Sequence, residues 1–167
     1  MSWVGANRTS RLVTPTVDTA AYASNDCIGV LIETGNSGSA PNGPVIERGG
    51  SGKISRAWLF DKSSQIHTHR ISAYIFRDNP SASTFTDQAA FAIHDDDLTK
   101  LEAIITFDEA HDGVFASSSA NQAIWVPLAI PYECSSDSLY IVFKADGSTP
   151  TFGASSDLSM RLLFERD

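Results

Sequence analysis

Cysteine is nearly missing from this chain: Cys27 and Cys134 are its only two. A pair is too few for a disulfide framework, and no C-x-x-C spacing marks a zinc or redox site. Cys27 opens the strand-like run Cys27-Ile28-Gly29-Val30-Leu31-Ile32, and Cys134 ends the loop-like Pro131-Tyr132-Glu133-Cys134. A buried or idle thiol is the preferred reading, with a disulfide as the alternative. Long apolar runs are lacking too. None approaches the roughly 20 residues of a membrane-spanning helix, and residues 1–8 have no apolar stretch of the kind a secretory signal carries. Basic residues are scarce: Lys and Arg number 12 against 20 Asp and Glu, a formal charge of −8. Such a field repels phosphate, so neither nucleic acid nor an anionic membrane is expected as a partner.

Long amphipathic helices and internal repeats are absent as well, and what remains is strand-like. The 167 residues suit one domain, and 42% hydrophobic content with nine Phe supplies the bulk of a core. Runs at 12–17, 26–34, 53–60, 70–77, 101–107, 124–130, 139–144 and 158–164 alternate or are continuously apolar, with a further short candidate at 45–48. In 53–60, Ile54, Arg56, Trp58 and Phe60 share one face by strict alternation, and Ser55, Ala57 and Leu59 the other. Pro15 and Pro127 inside two runs imply an edge or a bulge. Gly, Pro, Asn, Asp and Ser fill the connections, notably 35–44 and the long irregular stretch 78–99. Within that stretch, 88–93 and Asp95-Asp96-Asp97-Leu98 suit short helical turns. The expected fold is all-β: a two-sheet, jelly-roll-like β-sandwich of about eight strands with long loops over 12–167. Residues 1–11 read as an N-terminal arm preceding it.

Chemistry-bearing patterns are weak. His67-Thr68-His69 would aim two imidazoles at one ion if it lay on a strand. The glycine and glutamate that a cupin places around such a pair are replaced by Asp61 and by Ala73 or Tyr74, so two surface histidines at a strand start are expected instead. His94-Asp95-Asp96-Asp97 lacks the spaced ligands of a calcium loop and reads as a solvated turn at a helix start; 108–113 reads as a loop. Gly49-Gly50-Ser51-Gly52-Lys53 lacks Walker spacing, and Ser117-Ser118-Ser119 sits in no nucleophile elbow. No pair among the carboxylates is singled out for glycoside chemistry. Neither catalytic residue, cofactor nor metal is assigned. Trp3, Trp58 and Trp125 offer a possible sugar-stacking set; Trp125 suits an outer face, while Trp58 suits core or interface. In the arm, Trp3, Arg8 and Arg11 are the candidate subunit contacts.

Four blocks carry a family resemblance. They are Val13-Thr14-Pro15-Thr16-Val17-Asp18-Thr19-Ala20-Ala21-Tyr22-Ala23-Ser24-Asn25-Asp26, Gly49–Ile54 with Leu59-Phe60-Asp61-Lys62, the segment from Phe76-Arg77-Asp78-Asn79-Pro80 through Asp97-Leu98, and Ser155-Ser156-Asp157-Leu158. Together they make the chain resemble a family of small virion structural proteins of tailed bacteriophages and prophages. The blocks are turns and strand edges rather than catalytic signatures. The resemblance implies a non-enzymatic virion component, assembled in the host bacterial cytoplasm. The role it implies is a capsid decoration or cement subunit, oligomeric and bound to the major capsid protein or other virion proteins. A tail, baseplate or head-fibre-base protein and a carbohydrate-binding jelly roll are the alternatives.

Overall fold

Alternate side chains of a strand face opposite ways, so a chain of alternating strands must pair two sheets to hide its apolar sides. The computed structural model describes residues 7–34, 51–63, 69–108, 113–116, 122–133 and 138–166. Among them lie β1 (Asn7–Val13), β2 (Cys27–Glu33), β3 (Ser51–Asp61), β4 (Arg70–Phe76), α1 (Asp95–Leu98), β5 (Leu101–Asp108), β6 (Gly113–Ala116), β7 (Gln122–Glu133), β8 (Tyr140–Ala145) and β9 (Leu158–Arg166). One sheet has the order β1-β9-β3-β7-β6 and the other β2-β8-β4-β5. All pairings are antiparallel. Without β6, the two orders are those of a jelly roll, with β6 added at the β7 edge. The expected sandwich is therefore present.

Between the sheets, Ile71, Ile75, Phe107 and Phe143 meet Ile54, Leu59, Leu162 and Phe164, all buried. Tyr132 packs edge-on against Phe164 at 5.4 Å, and Tyr22 against Phe152 at 5.7 Å. Such T-shaped pairs suit the ring quadrupole.

Three details depart from the sequence reading. The first strand runs over Asn7–Val13 rather than 12–17, because β9 offers it a full ladder from Asn7↔Arg166 to Val13↔Met160. Residues 7–11, expected in the arm, thus belong to the sheet. Second, a bulge between Ile54 and Arg56 breaks the alternation of β3, against both β7 and β9. It puts Ile54 on the core side with Ala57 and Leu59, leaving Arg56, Trp58 and Phe60 outside. Pro127 lies at this bulge, beyond the last residue of β7 paired with β6, so its missing N–H breaks no ladder there. Third, 88–93 is not a helical turn. Gln88 is left-handed at φ 61°, and Ala90 bridges Asp26 beside β2. The helix over Asp95–Leu98 forms as expected, with His94 at its N-cap. The candidate at 45–48 and the loop at 35–44 lie outside the described residues.

The long connection from β4 to β5 becomes a strap over the outer face of the four-stranded sheet. Phe85, Phe91 and Ile93 pack on Cys27, Tyr74, Phe76 and Val142, forming a second small core. Phe91 lies 4.4 Å from the Tyr74 ring and 5.5 Å from that of Phe85, centroid to centroid. Two carboxylates pin the strap. Asp87 accepts from the Tyr22 hydroxyl at 2.7 Å and from the Gly29 backbone at 2.6 Å. Asp97, fully buried, accepts from the Ser83 backbone and hydroxyl and from Lys100, each at 2.7 Å. Burial pushes the Asp97 carboxyl up, but the bonds from Lys100 and Ser83 outweigh it and hold the group below its ordinary 3.8.

Gly29 is required where it stands. Its φ is +73°, and a Cβ there would lie 2.9 Å from Pro15 Cβ. Gly29→Ala is expected to lower stability by about 1–3 kcal/mol, read from urea unfolding midpoints. The strap should also be acid-sensitive. With the folded Asp97 carboxyl below 3.8, its stabilisation is complete above that value and is lost as pH falls through the folded one. Hydrogen exchange should show amides 81–98 losing protection on acidification before those of β3 and β9 do. In Asp97→Asn that early, strap-confined loss should already be present at neutral pH.

Candidate functional site: the outer face of the five-stranded sheet

Cross-strand partners share a face, so the register of the five-stranded sheet specifies what its outer side displays. One row runs Leu12, Arg161, Trp58, Trp125 across β1, β9, β3 and β7. On one side of it comes the row Ser10, Leu163, Arg56, Pro127, then Arg8, Glu165, Lys53, Pro131; on the other lie Ser159, Phe60 and Ala123. Leu12 is 42% exposed and Trp125 45%. Both are large apolar side chains left in water at the ends of the central row.

Two arginines of the face lie over rings. The Arg56 guanidinium is 5.6 Å from the Trp58 centroid, and that of Arg161 is 5.5 Å from Phe60. Stacking a weakly hydrated, planar guanidinium on a ring limits its rotamers while leaving its in-plane N–H groups available. Farther along, Glu165 sits between Lys53 at 2.9 Å and Arg8 at 3.0 Å. The Lys53 hydrogen bond, aided by both positive charges, holds its carboxyl below the ordinary value against some burial. The face is therefore aromatic and cationic at once, in a chain with a net charge of −8.

The sequence candidates fall in different places. Arg8 is on this face. Arg11, paired with Leu162 in register, turns to the core side and is half-buried. Their opposite orientation follows from the odd spacing along β1. Trp3 lies outside the described residues. Trp125 is outside, as its alternation implied; Trp58 is half-buried on the outer face, because the bulge changed the phase it shares with Ile54. Arg161 and Phe60 were not marked by sequence, although Arg56, Trp58 and Phe60 do alternate.

The remaining polar candidates serve the fold. His69 is buried rather than on the surface, its Nδ1 3.8 Å from Asp61 Oδ2, while His67 lies outside the described residues. Asp97 is buried inside the strap instead of solvated. Cys27 is a free thiol in the small core, where burial pushes its pKa up to about 11 and makes it a poor nucleophile. Cys134, Ser117-Ser118-Ser119 and residues 109–112 lie outside the described residues. Among the described residues, no three His, Cys, Asp or Glu side chains are grouped to hold a metal ion. A shallow depression on the strap is lined by Ser83, Thr84, Ile93, His94 and Asp95.

No protein-family model, curated protein or solved structure matches this chain.

If Trp125 is displayed for contact rather than for folding, its loss should leave stability almost unchanged. Trp125→Ser is expected to shift the unfolding free energy by no more than about 0.5 kcal/mol. Phe164→Ala, in the core, should cost about 3–5 kcal/mol in the same urea titrations.

Proposed function

We propose that the chain is a non-enzymatic structural protein of a tailed-bacteriophage virion. In this reading it is a decoration subunit that binds the major capsid protein and stabilises the head. The observation that carries the contact role is the outer face of the five-stranded sheet, with Leu12 and Trp125 exposed beside stacked arginines. Trp and Arg are the side chains that most often dominate protein–protein binding energy. The four sequence blocks supply the virion context by resemblance. The strongest carboxylate clusters also support contact over chemistry. Asp87 and Asp97 direct their oxygens to hydrogen bonds that hold the strap, and Asp146 pairs with Ser72 at 2.9 Å.

As a decoration subunit the chain would gain stability for the shell by burying that face across subunit boundaries. No cofactor enters this role. A tail, baseplate or head-fibre-base position would use the same face at lower copy number. Mass spectrometry of separated heads and tails distinguishes them: head fractions should contain the chain in hundreds of copies per particle. Its confinement to tails would remove the capsid role. Trp125→Ser combined with Arg161→Glu should weaken binding to undecorated heads at least about tenfold, the equivalent of 1.4 kcal/mol.

A second reading, a carbohydrate-binding jelly roll, is favoured by one observation: Trp125 and Trp58 are direct cross-strand partners on an outer face. Sugar rings stack on such indoles. Glycan-array binding that Trp125→Ser abolishes would select this reading.

A further inference from the structure

We infer that the outer face of the five-stranded sheet docks on the strap side of a second copy of this chain, head to tail. The inference rests on that face being a contact surface and sets a neighbouring copy against it, so that contacts between copies help to hold the decoration layer on the head. Charge is the first argument. The face carries Arg8, Lys53, Arg56 and Arg161 against Glu165 and, at the end of β7, Glu133. Two such faces pressed together would oppose like charges, which disfavours a symmetric pairing through this surface. The complementary surface has to be acidic.

The chain itself has such a surface on its other side. The strap covers the four-stranded sheet, so what it exposes points away from the five-stranded one. Asp95 and Asp96 are exposed there. His94 Nδ1 accepts the Asp96 backbone N–H at 3.2 Å and lies 3.5 Å from the Asp96 carboxylate, while Asp95 takes part in no ion pair among the described residues. Three cations on this side are paired with carboxylates, and a fourth, exposed Arg77, donates to the Thr99 carbonyl at 3.1 Å. Lys100 is bound to Asp97 at 2.7 Å, and Lys144 and Arg70 pair with Asp146 at 3.4 and 3.5 Å.

Apolar groups complete the match. On the strap side Leu98 is 51% exposed and Ile104, on the outer side of β5, 48%. Opposite them in the proposed contact stand Leu12 and Trp125. Arg56 and Arg161, each over a ring at 5.6 and 5.5 Å from its centroid, supply the guanidinium N–H groups for partner carboxylates, a pairing that can be bidentate. Because the two surfaces differ and lie on opposite sides of the sandwich, the contact is heterologous. It closes into a ring if each step rotates enough and otherwise continues as an array.

Sedimentation of the whole chain tests this. Wild type should self-associate at about 0.05 M salt and weaken at least about tenfold at about 0.5 M, as screening requires. Arg56→Glu with Arg161→Glu should be monomeric, and so should Asp95→Lys with Asp96→Lys; a mixture of the two variants should associate again. All four positions are exposed, and circular dichroism would verify folding. Trp125→Ser should weaken association without altering charge. A wild type monomeric at low salt overturns the inference. So does a dimer that survives Asp95→Lys with Asp96→Lys, since it must use another surface. A monomeric chain that still binds heads would remove only this inference, whereas a self-associating chain absent from virions would remove only the virion role.

Discussion

Apolar burial between the two sheets is the term on which the other features depend. It requires Ile71, Ile75, Phe107 and Phe143 to face Leu59, Met160, Leu162 and Phe164. Through the period-two geometry of a strand it also dictates which side chains must point out. On the four-stranded sheet the outward set includes Cys27, Tyr74, Phe76 and Val142, too apolar for water. The strap is the answer to that set. Its carboxylates fix its path, and its three apolar side chains turn an outer face into an inner one. On the five-stranded sheet the outward set is Arg56, Trp58, Phe60, Trp125 and Arg161, whose guanidiniums shield two of the rings. That set tolerates water well enough to stay open and is apolar enough to gain from leaving it.

Strand alternation made most of the sandwich legible. Seven of the runs read from sequence overlap β2, β3, β4, β5, β7, β8 and β9 within a few residues. What alternation cannot report is a change of phase. The bulge at Ile54/Arg56 inserts no glycine or proline, so strict counting placed Ile54 with Trp58 when they face opposite ways. The start of β1 was also hidden, because Asn7–Val13 is polar and becomes a strand only through the ladder that β9 provides. Four-residue β6 carries too little pattern to stand out. His69 looked superficial from its polar neighbours; only the tertiary fold puts Asp61 beside it.

The candidate face was legible in part. Trp125 was placed outward by its neighbours Ile124 and Val126. Its position next to Trp58 and Arg161 depends on register between segments far apart in sequence, which no local pattern encodes. The same holds for charge. Net acidity argued against phosphate binding for the chain as a whole, yet it concealed a cationic side. Averaged composition speaks to long-range repulsion, whereas recognition at contact depends on how the charges are distributed over the surface.

The place of β9 has a consequence for biosynthesis. This strand, drawn from the C-terminal end of the described chain, inserts between β1 and β3, both made much earlier. On the ribosome, β1 and β3 must therefore wait with unsatisfied hydrogen-bonding edges until β9 has emerged. The closing step joins segments at the greatest separation in sequence, which slows folding through the entropy of loop closure. During that interval the waiting edges are open to pairing with strands of other nascent chains, the route by which late-closing sheets aggregate.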